Sequence, residues 1–371
     1  MEAQSERPRR SSDPRWQDSS SSRCVMRTTP RHDPHISVAM ATYNGEKHIR
    51  EQLDSIARQT LLPCELVITD DGSADATLQI VEEFARHAPF PIAVIRNESR
   101  LGYADNFMKA ASLCTGDLIA FCDQDDIWME QKLQVCSGYL ADPQVLLVIH
   151  TAQTFTHAGG LGHCYPKFSR SGILRWGACD PFSNHPAFAM VIKKTLLQFV
   201  DSSQRPARLH SHDHWLWFLA AGSGGIATIS EILTLYRQHG SNVYGAPQRL
   251  TFAQRLRRTA RTIDYDEVAD SELQCSNLLA HAAEECPEFE AHLKDSAAKL
   301  EFRSKLHLLR TRIYRQSNQF LLRAGIFSQI LLSGGYFPDS SGTRLGPYSG
   351  MKDLFLGVTG IYRLVRFIAR S

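Results

Sequence analysis

The sequence contains no C-x-x-C pair. Its nine cysteines, at 24, 64, 114, 122, 136, 164, 179, 275 and 286, are scattered and odd in number. That argues against a zinc ribbon and a disulfide framework, and fits the reduced thiols of a cytoplasmic chain. No apolar run approaches the ~20 residues of a membrane span. Residues 1–34 are rich in Ser, Arg, Pro and Asp and hold no apolar stretch of the kind a secretory leader needs. They read as a disordered tail, with Met26 as an alternative start. Neither G-x-x-x-x-G-K-[ST] nor G-x-G-x-x-G occurs, and A-G-S-G-G at 221–225 fits neither spacing. A bound phosphate would therefore need a cation in place of a glycine-rich loop. A net charge of +2 over 371 residues excludes a general polyanion binder, and no nucleic-acid partner is expected.

What is present is a chain of ordinary globular composition, long enough for one large domain or two smaller ones. Short apolar runs at 36–41, 65–69, 92–97, 117–122 and 145–150 read as strands. Between them, apolar residues at helical spacing predict helices over 46–58, from about Asp75, over 103–114 and from about Glu130. This alternation implies βαβ units and a mostly parallel sheet. Ligands of such sheets bind beyond the carboxyl ends of the strands. Polar signals stand at three of these ends: Thr42-Tyr43-Asn44, Asp70-Asp71-Gly72-Ser73 and Asp123-Gln124-Asp125-Asp126. They are expected to meet in one cleft. After residue 150 the alternation weakens. Residues 208–224 read as a loop entering a helix, residues 225–242 as a hairpin or a long strand, and the chain beyond 250 as helical and polar.

The acidic cluster at 123–126 is the sharpest signal. Adjacent carboxylates repel, and a D-x-D pair on a strand end aims two of them at one point. Hard divalent cations such as Mg²⁺ and Mn²⁺ take such oxygens and keep positions open for phosphate. The competing reading is an acidic helix start.

At this point four segments carry a resemblance: T-Y-N-G-E-K-H-I-R at 42–50, L-V-I-T-D-D-G-S at 66–73, R-L-G-Y-A-D-N-F at 100–107 and F-C-D-Q-D-D-I-W at 121–128. Together they resemble family 2 glycosyltransferases of the GT-A fold, in particular the rhamnosyltransferase-like bacterial enzymes of polysaccharide synthesis. The resemblance covers roughly residues 35–245, leaving 246–371 as a helical, basic C-terminal extension. It implies an inverting, metal-dependent transfer of a sugar from a UDP- or dTDP-sugar to a saccharide or lipid-linked acceptor. It implies that Ala41, Tyr43 and Asp71 hold the base and ribose, with Glu46 and Asp70 nearby. For Asp70 and Asp75, helix capping is an equal alternative. Mg²⁺ or Mn²⁺ would sit on Asp123 and Asp125, with Asp126 behind it or capping a helix.

The resemblance further makes Asp213, in H-S-H-D-H-W at 210–215, the general base, with helix capping as the alternative. A zinc site of His210, His212, Asp213 and His214 lacks H-E-x-x-H or cysteine support. In Y-R-Q-H-G-S-N at 236–242, Arg237 or His239 would meet the departing diphosphate or the metal. One segment departs from the pattern: His185-Pro186-Ala187 stand where relatives show a small glycine-containing stretch, so the sugar pocket differs there. The rivals are a sugar-phosphate nucleotidyltransferase, which needs a Gly-rich loop after the first strand, and a non-catalytic sugar-nucleotide binder. The last 21 residues mix Leu354, Phe355, Val358, Ile361, Tyr362, Val365 and Ile368 with Lys352, Arg363, Arg366 and Arg370. That basic amphipathic pattern predicts peripheral contact at the inner face of the cytoplasmic membrane through 351–371.

Overall fold

The computed structural model describes residues 35–156, 160–174, 179–199, 204–240, 265–315, 319–337 and 344–362. β1 (Ile36–Thr42), α1 (Ile49–Ala57), β2 (Glu65–Asp70), α2 (Thr77–Ala85), β3 (Ile92–Arg96), α3 (Tyr103–Leu113) and β4 (Leu118–Cys122) form the expected alternation. After β4 come β5 (Ile127–Trp128), α4 (Lys132–Leu140), β6 (Val145–Thr156), β7 (Leu161–Cys164), β8 (Gly172–Leu174) and β9 (Met190–Lys193). α5 (His212–Ser223) and β10 (Gly225–Gln238) follow, then α6 (Asp266–Glu285), α7 (Glu290–Arg315), α8 (Phe320–Leu332) and α9 (Gly346–Lys352).

All described strands join one sheet, with main order β3-β2-β1-β4-β9-β6-β10-β5. The β3-β2-β1-β4 half is parallel, as helical crossovers require. The other half is mixed. β9 runs antiparallel between β4 and β6 and is entered from a short 3-10 turn at Ala187–Ala189. The expected parallel arrangement holds for β3-β2-β1-β4 and for the long β6–β10 pair, with antiparallel β9 between them. Residues 225–238 form one long strand, parallel to β6 and bent by register shifts between Ile229 and Thr234.

Period-two alternation divides the core between the two faces of the sheet. Val38, Met40, Leu66, Ile68 and Ala120 face α1, α2 and α4. Ala39, Val67, Ile119 and Phe121 face α3, α5 and, beyond α5, the apolar sides of α6 and α7. Gly222 permits that last approach: a Cβ there would lie 3.2 Å from Leu279. Ser296 Oγ donates to Gly222 O at 2.9 Å, so α7 is bonded to α5 as well as packed on it.

The far end of α7 builds a separate cluster with Tyr265, Ile326, Ile330, Tyr336 and Tyr362. At its centre Asp353 is fully buried. It accepts two bonds from Arg310, at 2.7 and 3.0 Å, and one each from Tyr314 and Tyr336, at 2.9 and 2.8 Å. A buried carboxylate is tolerable only when so satisfied. Of the residues expected to make peripheral membrane contact through 351–371, Val358 and Tyr362 are not available to lipid. Asp353, Val358 and Tyr362 belong to the protein interior, and Gly357 presses against Ile313, where a Cβ would lie 2.7 Å away. Residues 363–371, with Arg363, Val365, Arg366, Ile368 and Arg370, lie outside the described residues, as does the 1–34 tail.

Candidate active site

The loops after β1 and β2 are cross-linked before any ligand is considered. Asn44 adopts φ 49°, a conformation Asn tolerates better than most residues. Its N–H donates to Ser73 Oγ at 2.9 Å and its Oδ1 accepts from Ala74 N–H at 2.9 Å. Glu46 repeats the exchange: its N–H donates to Asp75 at 3.1 Å and its carboxylate accepts from Ala76 N–H at 3.0 Å. The loop after β4 joins through Gln124, whose Oε1 accepts from Tyr43 N–H at 3.0 Å and whose Nε2 donates to Tyr43 O at 3.1 Å. Side chains within the turns thus satisfy the backbone groups that strand ends leave open.

Asp70 and Asp71, neighbours in sequence, have separate roles. Asp70 is fully buried and accepts from Thr42 Oγ1 at 2.9 Å and from the Gly72 and Ser73 N–H groups at 3.1 and 2.8 Å. It shapes the turn and is absent from the cleft wall. Asp71 lies on that wall. It accepts from Leu101 and Gly102 N–H at 2.6 and 2.8 Å and from Asn97 Nδ2 at 3.1 Å, fixing the loop before α3. That loop lays the Arg100 guanidinium 4.0 Å over the Tyr43 ring. Asp75 bonds the Thr77 N–H at 3.0 Å, at the start of α2.

These loops border a cavity of about 1120 Å³. Ala41, Tyr43, Glu46, Asp71, Asp123, Asp125, Asp213 and His239 all line it; Asp70 and Arg237 do not. Arg237 is buried and braces the acidic loop from behind. Its Nε donates to Asp125 O at 2.8 Å, its N–H donates to Asp126 Oδ1 at 3.0 Å, and its guanidinium also pairs with Glu51. Arg237 thus differs from the expected phosphate contact because its donors turn toward the loop. His239 Nε2 lies 2.7 Å from Asp125 Oδ2, and its ring stacks on His48.

Asp123, Asp125 and Asp126 bring their ligand oxygens within 4.8 Å of one another. No helix starts there: β5 follows, so Asp126 is no helix cap. Asp126 is fully buried, and its Oδ2 has no hydrogen-bond partner among the described residues. Burial, with Asp125 and Asp213 nearby, pushes the Asp123 carboxyl up to about 8. Burial and the same cluster push Asp126 well above the usual carboxylate range. Three hard oxygen donors at one point, one of them orphaned, fit a divalent cation: its charge offsets the repulsion that otherwise drives protonation.

Across the cavity, Asp213 sits in the first turn of α5. The helix is capped at Ser211; Asp213 Oδ1 accepts from Ser211 Oγ and, at 2.8 Å, from His214 N–H. Beside it His212 is 5% exposed and lines the cavity, yet neither ring nitrogen has a hydrogen-bond partner among the described residues. Its ring stacks on Phe107 at 4.5 Å, and burial pulls its pKa down to about 4. The sequence names His212 only within the discounted zinc grouping, and Arg100 carries no signal of its own there. Arg100 stands inside a quoted motif, but only its stacking on Tyr43 marks it.

A family model, Glycosyl transferase family 2, matches residues 37–198. The dTDP-rhamnosyl transferase RfbG of Shigella flexneri is 32% identical over 222 residues, which cover 56% of this chain and 74% of that protein. The chain belongs to glycosyl transferase family 2. The Mycobacterium tuberculosis protein Rv1520 is 29% identical over 212 residues, 56% of this chain and 60% of the relative's own length. Among solved structures, Staphylococcus aureus TarS 1–349 in complex with UDP superposes with a TM-score of 0.51 at 17% identity, covering 91% of each chain. That likeness is one of fold: GT-A, with a helical C-terminal part. No described helix is long and apolar enough to cross a membrane.

Proposed function

We propose that this family 2 glycosyltransferase moves a sugar, with inversion, from a UDP- or dTDP-sugar to a hydroxyl of a saccharide or lipid-linked acceptor in cell-surface polysaccharide synthesis. One observation carries the reading: a single cavity is lined both by Asp123 and Asp125 of the acidic cluster and by a carboxylate on a helix start, Asp213. Tyr43, with Arg100 on its face, offers a stacking platform for the base, and Asp71 fixes the loop that presents Arg100. Asp123 and Asp125, with Asp126 behind them, would hold Mg²⁺ or Mn²⁺. Bound there, the ion would neutralise the diphosphate as its charge grows. Asp213 takes the proton from the acceptor hydroxyl as that oxygen bonds to the anomeric carbon; the C–O electron pair leaves with the nucleoside diphosphate. His239, held on Asp125, orients that carboxylate.

The helical C-terminal part suggests peripheral attachment to an anionic membrane surface. Leu321, Leu332, Met351 and Phe355 are exposed, and residues 319–337 include no Asp or Glu. Exposed apolar side chains without neighbouring carboxylates enter the headgroup region at little electrostatic cost.

The test is calorimetric titration of UDP- and dTDP-sugars with and without Mn²⁺, on wild type and Asp125→Ala. Binding that needs Mn²⁺ and is lost in a folded Asp125→Ala protein is expected. Equal binding in EDTA would overturn the cation reading.

A further inference from the structure

The turn that delivers Asp213 to the cavity is gripped from the C-terminal part of the chain. Glu272 of α6 is fully buried. Arg208 Nη1, on the 3-10 turn Ala207–Leu209 that leads into α5, donates to it at 3.3 Å. From α7, Arg303 Nε and His307 Nδ1 lie 2.9 and 2.7 Å from the same carboxylate. A buried carboxylate is tolerable only with partners of this kind, so Glu272 binds α6, α7 and the turn before α5 into one unit. Phe182 completes it. Arg208 and Arg303 lie 3.9 and 5.4 Å over its ring, and the ring stacks on Phe218 of α5. Arg303 Nη1 donates to Asp180 Oδ1 at 3.3 Å, and Trp217 Nε1 of α5 donates to Asp180 O at 2.9 Å. The bonds that Asp213 accepts from Ser211 and His214 are different in kind. Both lie within its own turn, so they fix the carboxylate on α5 and not the start of α5 against the cavity.

We propose that Arg208 is a positioning residue: clamped between Glu272 and Phe182, it lets the C-terminal helices set where the start of α5, and with it the Asp213 carboxylate, stands against the reacting hydroxyl. The inference rests on the reading of Asp213 as the base. Arg208, Glu272 and Phe182 do not line the cavity, so they act through Asp213 and not on the substrate. A base displaced by about 1 Å can lose roughly 10²-fold in rate, so a contact outside the cavity can matter there. A positioning contact and a plain strut have different signatures. A strut adds its stability whatever stands at 213. A positioning contact loses its effect on rate once the carboxylate it places is gone.

The experiment reads release of UDP or dTDP from UDP- and dTDP-sugars, with water as acceptor, at saturating donor and with Mn²⁺. It compares wild type, Arg208→Met, Asp213→Asn and the double variant, at a temperature where circular dichroism shows each of them folded. Calorimetric titration of the same donors accompanies it. Arg208→Met should lower the rate at saturation about tenfold or more, leave donor affinity unchanged, and lower the rate no further in the Asp213→Asn background. An unchanged rate, a loss of donor affinity that matches the loss of rate, or an additive fall in the double variant overturns the proposal. Arg208→Lys keeps a charge facing Glu272 without the planar stacking on Phe182, and should give an intermediate rate. It carries the comparison if Arg208→Met does not fold; if neither folds, Arg208 serves the fold itself and the proposal is overturned. If Asp213→Asn turns over like wild type, or wild type turns over none of these donors, the reading of Asp213 falls and this proposal with it.

Discussion

Gly45 and Gln124 make a test of how the cleft is assembled. A Cβ on Gly45 would lie 2.3 Å from Gln124 Oε1 and 2.5 Å from Cδ. Gly45 is not among the residues of positive φ, so alanine meets no backbone strain there. The nearest obstacle is the amide side chain of Gln124, which must swing away and abandon both bonds to Tyr43. Each such bond is worth about 0.5–1.5 kcal/mol net, and these lie at an exposed site, so Gly45→Ala should cost about 1–2 kcal/mol. Gln124→Ala should cost a similar amount for the same reason. In the double variant the clash has gone with the amide, so its cost should match Gln124→Ala alone. The expected coupling is then about 1–2 kcal/mol, well above the ~0.5 kcal/mol scatter of independent sites. Urea unfolding of the four proteins measures it. Donor titration should show the same non-additivity, because the pair holds Tyr43 beside the acidic loop. Additive losses would refute the reasoning and show that Gly45 matters for something other than room for Gln124.

Three further outcomes are expected. Asp213→Asn should keep donor affinity and lower the transfer rate at saturation by about 10²-fold or more; a fall in affinity without a fall in rate would make it a binding residue. Asp353→Ala strands Arg310 in the interior and should cost about 3–5 kcal/mol in denaturant unfolding, whereas Asp353→Asn should retain part of the network. Without divalent ions, Asp123 binds its proton more tightly folded, at about 8, than at the ordinary 3.8. Its contribution to stability is therefore present at low pH and lost as pH rises through that window, by at most about 1.4 kcal/mol per unit. Saturating Mn²⁺ should flatten this slope, which thermal unfolding from pH 5 to 8 would show.

The strands and helices of the first half were legible because their signals are local. Buried parallel strands need continuous apolar runs, and crossover helices need a periodic apolar face, as in 36–42 and 49–57. The convergence of three polar strand ends follows from the same rule, and the cavity collects residues from all three. What the sequence left open was decided by contacts between distant segments. Asp70 and Asp71 are chemically alike, and only the loop at 97–102 makes one a cleft residue and the other a turn brace. Arg237 turned inward because Glu51 and the carbonyl of Asp125, far away in sequence, outbid the cleft. The antiparallel direction of β9 is seen only in its pairing with β4 and β6, strands distant from it in sequence. Asp353 reads as one charge in an amphipathic tail until Arg310, Tyr314 and Tyr336 surround it. A side chain's type states which interactions it can make; which of them it does make depends on partners that the fold brings within about 3 Å.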